Sequence, residues 1–223
     1  MSEFENPPFG EEDNLAEFVF ENGDVYNGKM TSEKFHGEGH LFKNNGTVYK
    51  GNFHNGTYHG HAELTYMNGD MFCGTMKDGR RTGKGSFTFH KSGNIYDGSW
   101  REDCKSGQGT FLWSNSDRYI GEFFNGYPHG YGKLLFENGD CFVGEFERGK
   151  MNGYGEMRYI SGSLYSGNFA NGLKSGKGKF VWPSGSSYYG QWKLDKMHGT
   201  GTQKFDAENK SIQGTWENGK FIE

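Results

Sequence analysis

Two segments of this 223-residue chain superficially resemble the glycine and lysine spacing that phosphate chemistry uses, and four histidines sit beside glycines. Gly79 to Lys84 and Gly172 to Lys177 are similar in outline to a phosphate-cradling loop. Only three residues separate their glycines, one fewer than such a loop needs, and Gly85 or Gly178 follows the lysine where a magnesium-binding hydroxyl belongs. His36, His59, His129 and His198 each precede the first glycine of a Gly-x-Gly. Equivalent positions in adjacent units of the repeat described below would lie about 10 Å apart, whereas ligands of one ion must all approach to about 2.1 Å. His59 and His61 would face the same way on one strand, which reads as a solvated face. There is no G-x-S-x-G elbow, HExxH or EF-hand loop. The sequence therefore predicts neither an enzyme nor a metal or cofactor site.

Two basic clusters remain. Lys77, Arg80, Arg81 and Lys84 read as one inter-hairpin loop region, and Lys174, Lys177 and Lys179 as another. They suit either acidic lipid headgroups or an acidic protein segment, or serve as edge charges that block sheet-to-sheet association. Cys73, Cys104 and Cys141 are odd in number and follow no C-x-x-C pattern. Cys73 and Cys141 would be about 29 Å apart at strand spacing, beyond the roughly 7 Å Cα limit for a disulfide, so reduced thiols are expected, as in a cytosolic protein.

The elements that position these residues follow from a repeat. An aromatic, any residue, then glycine recurs at Tyr26 and Gly28, Tyr49 and Gly51, Phe72 and Gly74, Tyr96 and Gly98, Tyr119 and Gly121, Phe142 and Gly144, Tyr165 and Gly167, and Tyr188 and Gly190. Ile212 and Gly214 close the series without the ring. Two residues past each glycine stands Met, Phe or Trp, as at Phe123 and Trp192. Gly-x-Gly interleaves, as at Gly130 and Gly132, with the one departure of Ala62 after Gly60. All these spacings are even, and in a strand residues at i, i+2 and i+4 share a face. Asn-Gly or Ser-Gly between the halves, as at Asn22-Gly23 and Asn138-Gly139, signals a hairpin in which both turn residues take positive φ.

Each unit is therefore read as a β-hairpin, and the chain as all-β: an elongated single-layer antiparallel sheet of nine tandem hairpins over residues 14–216. At two strands per unit and about 4.8 Å per strand the sheet would extend roughly 85 Å before twist. Residues 1–13 form an acidic leader and 217–223 a tail outside the array. Rings lying across bare glycine backbone stabilise such a sheet. No second sheet covers the ring face, and a long apolar strip marks a partner site, so a groove receiving a partner segment or a second copy is expected. Tyr127, Tyr131 and Tyr154 lie outside the common frame and are the candidate partner contacts.

The pattern Tyr-x-Gly-x-Phe, Asn-Gly, Gly-x-Gly-x-Leu-x-Phe, as in Tyr119 to Phe136, resembles the MORN (membrane occupation and recognition nexus) repeat over about residues 15 to 216. Ala62, Ile212 and Ser116, which stands where a turn glycine is expected, depart from it. The resemblance implies a non-catalytic scaffold for protein–protein interaction. An all-repeat chain is most similar to cytoskeletal and ciliary members, which implies an axonemal or radial-spoke-like location and a partner that is another protein, another MORN protein or a second copy. The alternative is a membrane tether that binds acidic phospholipids through the basic clusters.

Composition supports the array. Aliphatics are replaced by 38 glycines and by Phe, Tyr and Trp at 17%, too many rings for a disordered linker. No 18-residue apolar run or signal-peptide pattern occurs, which favours a soluble cytoplasmic protein whose sequons at Asn45, Asn55 and Asn209 stay unmodified. Residues 1–24 hold eight acids and no Lys or Arg, leaving 24 basic against 20 acidic residues in the rest. That balance excludes a nucleic-acid binder, and nothing in the sequence calls for a small-molecule substrate.

Overall fold

The computed structural model describes residues 16–223; the expected leader, residues 1–13, lies outside them. The described chain forms one antiparallel sheet of 19 strands. From β1 (Ala16–Val19) and β2 (Val25–Thr31) through β18 (Lys210–Glu217) and β19 (Lys220–Phe221), every strand pairs with its sequence neighbours. The sheet is a single open meander. Residues 217–223 are not wholly outside it: β19 pairs Phe221 with Trp216 and adds one short rung.

Even spacing puts all the frame residues on one face, called here the ring face. Tyr119, Gly121 and Phe123 lie on β10 (Arg118–Phe124), with Gly132 and Leu134 of β11 (Tyr127–Leu135) opposite Gly121 and Tyr119. The glycines are bare because the ring of residue i folds over glycine i+2 and its partner across the strand. A Cβ on Gly121 would stand 2.6 Å from both the Gly132 Cα and the Tyr119 Oη. The phenol then donates to the carbonyl of residue i+3, as from Tyr119 to Glu122 at 2.9 Å and from Tyr96 to Ser99 at 2.8 Å. Phe72 and Phe142 fill the same place without that bond. Ala62 shows that one methyl fits when Gly51 faces it.

The first glycine of Gly-x-Gly has a different reason. Two extra residues bulge out of the second strand of each pair, so that Phe123 faces Pro128 while Gly121 faces Gly132. Gly130 takes φ +66° in that bulge, a left-handed conformation that costs other residues a Cβ clash.

Both kinds of connection are hairpins, and their geometries are the reverse of the sequence reading. At Asn22-Gly23 only the glycine is left-handed: Gly23 N–H donates to the Phe20 carbonyl and Phe20 N–H to that of Asp24, a three-residue loop. The two-residue turns with positive φ at both positions fall between the expected units, at Asn55-Gly56, Asp78-Gly79 and Asn171-Gly172 among others. Two non-glycine residues stand there at Glu102-Asp103 and Leu194-Asp195.

Successive turns are tied along both rims. On one rim a turn carboxylate or amide accepts the backbone N–H twenty residues on, as Asp70 does from His90 and Asp117 from Glu137. The equivalent of Ser163 would need a donor at Pro183, which has no N–H, and no such bond forms there. On the other rim backbone bonds join turns, as from Gly126 N–H to the Lys105 carbonyl.

Candidate functional site

The ring face is not the open strip that a single sheet suggests. Tyr26, Tyr49, Tyr96, Tyr119, Phe142, Tyr165 and Tyr188 are all fully buried and Phe72 nearly so. Neighbouring side chains cover them, as Tyr119 is covered by Phe123 of its own unit at 5.2 Å and Phe146 of the next at 4.8 Å, both edge-on. Burial raises the phenols of Tyr26, Tyr49, Tyr96, Tyr119, Tyr165 and Tyr188 above their ordinary value of 10. Each of these phenols also donates a hydrogen bond to a backbone carbonyl.

The large exposed apolar residues lie mainly on the reverse face. Alternation from Phe123 sends Phe124 there, and the facing pairs Phe124–Tyr127, Tyr131–Glu145 and Tyr154–Asn168 put Tyr127, Tyr131 and Tyr154 on the same side. All four rings are about 60% exposed. Phe124 escaped the sequence reading, although counting from Phe123 reveals it. The three candidate partner contacts thus stand together on the side opposite the frame rings.

Both basic clusters divide between the faces, and neither is a loop. Lys77 ends β6 (Met71–Lys77), while Arg80, Arg81 and Lys84 belong to β7 (Arg80–Thr88), with only Asp78 and Gly79 between the strands. Arg81 faces Met76 on the ring side and lies over Trp100, 4.5 Å from the centroid, held by Asp103 at 3.0 Å. Arg80 faces Lys77 on the reverse side and pairs with Glu102. On β15 (Leu173–Val181), Lys174 is half-buried on the ring face, 5.1 to 5.6 Å from the ring centroids of Tyr159, Tyr165, Phe180 and Trp192. Desolvation lowers its ammonium pKa, partly offset by Asp195, and burial pushes the Tyr159 phenol up to about 12. Lys177 and Lys179 are exposed on the reverse face. They have company that the sequence reading missed: Lys193, Lys196 and Lys204 also point to that side from β16 (Ser187–Lys193) and β17 (Lys196–Phe205). Between residues 157 and 205 the one acid is Asp195. A hollow of about 320 Å³ on this side is lined by Lys177, Tyr189, Gln191, Thr200 and Thr202 over the bare glycines.

Three imidazoles do meet, though not the four equivalent ones. His54 lies between His36 and His59 on the reverse face, with centroids 5.4 and 5.5 Å apart. Among the described residues no group of three or more His, Cys, Asp or Glu is arranged to hold a metal. Cys73 and Cys104 are exposed, Cys141 is half-buried, and all three are free thiols. No helix of the described chain is long and apolar enough to cross a membrane.

A single antiparallel sheet of tandem hairpins with a buried row of frame rings defines a repeat array. The chain belongs to the MORN repeat family: the model of that repeat matches residues 49–71, 72–93, 96–118, 119–141, 142–164, 165–187 and 188–207. Seven units are thus matched within the sheet of 19 described strands. No curated protein matches the sequence. Among solved structures, the TCP domain of Drosophila melanogaster SAS-4, in complex with a proline-rich motif of Ana2, is 11% identical with a TM-score of 0.45, covering 86% of this chain and 99% of that one. A mutant TCP10 domain of Danio rerio CPAP is 10% identical with a TM-score of 0.48, covering 90% and 99%. The G-box domain of the microcephaly protein CPAP is 9% identical with a TM-score of 0.45, covering 91% and 99%.

Proposed function

We propose that this protein is a non-catalytic scaffold that docks a protein partner on the reverse face of β10 to β13 (Lys150–Arg158), within a cytoskeletal or ciliary (axonemal, radial-spoke-like) assembly of the cytoplasm. The observation that carries the reading is the contrast between sealed frame rings and Phe124, Tyr127, Tyr131 and Tyr154, each about 60% exposed on one side of neighbouring strands. Aromatic anchors of this kind dominate interface energetics. The cytoskeletal setting rests on likeness to stand-alone MORN arrays. Proximity labelling in ciliated cells tests it, comparing the native chain with a Tyr131→Ala, Tyr154→Ala variant. Cytoskeletal proteins enriched by the native chain should be lost from the variant; equal enrichment sinks the site, and absence of cytoskeletal proteins sinks the setting. Light scattering on the purified chain shows whether a second copy takes the same face.

A second reading is favoured by the reverse face of β15 to β17, where Lys177, Lys179, Lys193, Lys196 and Lys204 stand without a facing acid. That surface suits acidic lipid headgroups at about 1 kcal/mol per cation. The Lys77 to Lys84 cluster suits them less, since Arg80 and Arg81 are already paired. Flotation with phosphoinositide vesicles decides: charge reversal at Lys177, Lys179 and Lys196 should abolish binding, while the same change at Lys84 should not.

A further inference from the structure

The last long strand of the sheet has half a partner, and the first strand has the shape of the other half. Eight times within the chain a strand with the aromatic-x-glycine pattern pairs, through a two-residue turn, with the strand that follows it. Between β16 and β17 this ladder runs in two stretches on either side of the bulge. Lys193 to Gln191 face Lys196 to His198, and Gly190 to Ser187 face Gly201 to Lys204.

β18 begins a ninth ladder of the same kind. Glu217 and Trp216 face Lys220 and Phe221 of β19, and the Ile222 N–H donates to the Thr215 carbonyl at 2.9 Å. That is the first stretch. The second is missing: among the described residues Gly214, Gln213, Ile212 and Ser211 pair only with β17, on their other side.

β1 has the register of that missing stretch. It sets Ala16, Glu17, Phe18 and Val19 against Gly28, Asn27, Tyr26 and Val25 of β2. In the same way β17 sets Gly201, Thr202, Gln203 and Lys204 against Gly214, Gln213, Ile212 and Ser211 of β18. Among the described residues no strand pairs with the outer edge of β1, and such an edge is a template for another chain. The apolar side chains at the two ends fit this use. Phe18 is half-buried beside Tyr26, while Val19, Phe221 and Ile222 are exposed. Ile212 stands where the other units carry a ring.

We propose that copies of this chain join head to tail, β1 of one copy lying along β18 of the next as the continuation of β19. Ala16, Glu17, Phe18 and Val19 then face Gly214, Gln213, Ile212 and Ser211, and two chains complete one strand. The contact is continuous with the ladder already built eight times. Because the two edges differ, it does not close on itself, and it extends the sheet as an open row of copies. It uses the ends of the sheet and leaves the reverse-face aromatics free, so it fails separately from the partner site.

The experiment is disulfide trapping between two versions of the full chain in which Cys73, Cys104 and Cys141 are changed to serine. One carries Val19→Cys and the other Ser211→Cys. Mixed under mild oxidation they should give a linked dimer, and Val19→Cys mixed with Ser187→Cys, the counterpart of Ser211 inside the sheet, should not. No link, links formed by either version alone, or equal linking to Ser187→Cys overturns the proposal. Sedimentation of the unaltered chain should show a mass that rises with concentration past the dimer. Val19→Lys, at an exposed side chain, should weaken this association about tenfold. A mass that stays at the monomer, stops at the dimer, or ignores Val19→Lys is equally fatal.

Discussion

Replacing Gly121 by alanine tests the argument that close approach, not backbone freedom, fixes the paired glycines. The added methyl would meet the Gly132 Cα and the Tyr119 Oη at 2.6 Å and Tyr119 Cζ at 2.8 Å. Cβ contacts normally begin near 3.4 Å, and the backbone opposite cannot give, so the ring must leave or the strands must part. If the ring leaves, the phenol loses its 2.9 Å bond to Glu122, about 1 kcal/mol. It also loses two edge-on contacts, at about 0.5 to 1.5 kcal/mol each. The sum is about 2 to 4 kcal/mol. Gly172 is the control: its φ is +89° and nothing lies within 4 Å of a Cβ there, so Gly172→Ala costs only the left-handed penalty of about 1 kcal/mol. Urea unfolding followed by tryptophan fluorescence compares the midpoints. If Gly121→Ala is no more destabilising than Gly172→Ala, the close-approach account is wrong.

Leu194, with φ 49° and 65% exposure, should gain about 1 kcal/mol on Leu194→Asn, which tolerates that conformation; no rise in the urea midpoint would contradict it. Asp103→Asn should cost about 1 to 2 kcal/mol by leaving Arg81 unpaired among rings, with most of the loss returning in the Arg81→Met background; a double-mutant cycle with no coupling would refute the pair. The six buried phenols have folded pKa values above the unfolded 10, so their contribution is whole below pH 10 and is lost as pH rises beyond it. Stability should fall by about 1.4 kcal/mol per pH unit for each phenol that ionises only on unfolding. Circular dichroism with tyrosinate absorbance checks this, and phenols that all titrate near 10 with the sheet intact would count against it.

Much of the fold was legible because its frame is periodic by even numbers. From Tyr119, Gly121 and Phe123 alone the strand, its face and the ring-over-glycine contact follow. The turns were misread because Asn-Gly serves two geometries here: at Asn22-Gly23 the glycine alone is left-handed, while at Asn55-Gly56 both residues are. Telling them apart requires knowing how many ladder bonds close on either side. The basic clusters were misplaced for a related reason. Arg80 and Arg81 are adjacent in sequence but opposite in space, and only the register against Met76 and Lys77 assigns them.

The sequence by itself determined the array, its period, its all-β class and which residues form the frame, because side-chain alternation in a strand is a local rule. Whether the ring face is open was a tertiary question. Tyr119 is sealed by Phe146 from the following unit, and the turn stacked against Lys105 offers Gly126 where the one stacked against Arg81 offers Asp103. Those contacts join residues a full repeat apart, and the spacing between stacked hairpins decides them.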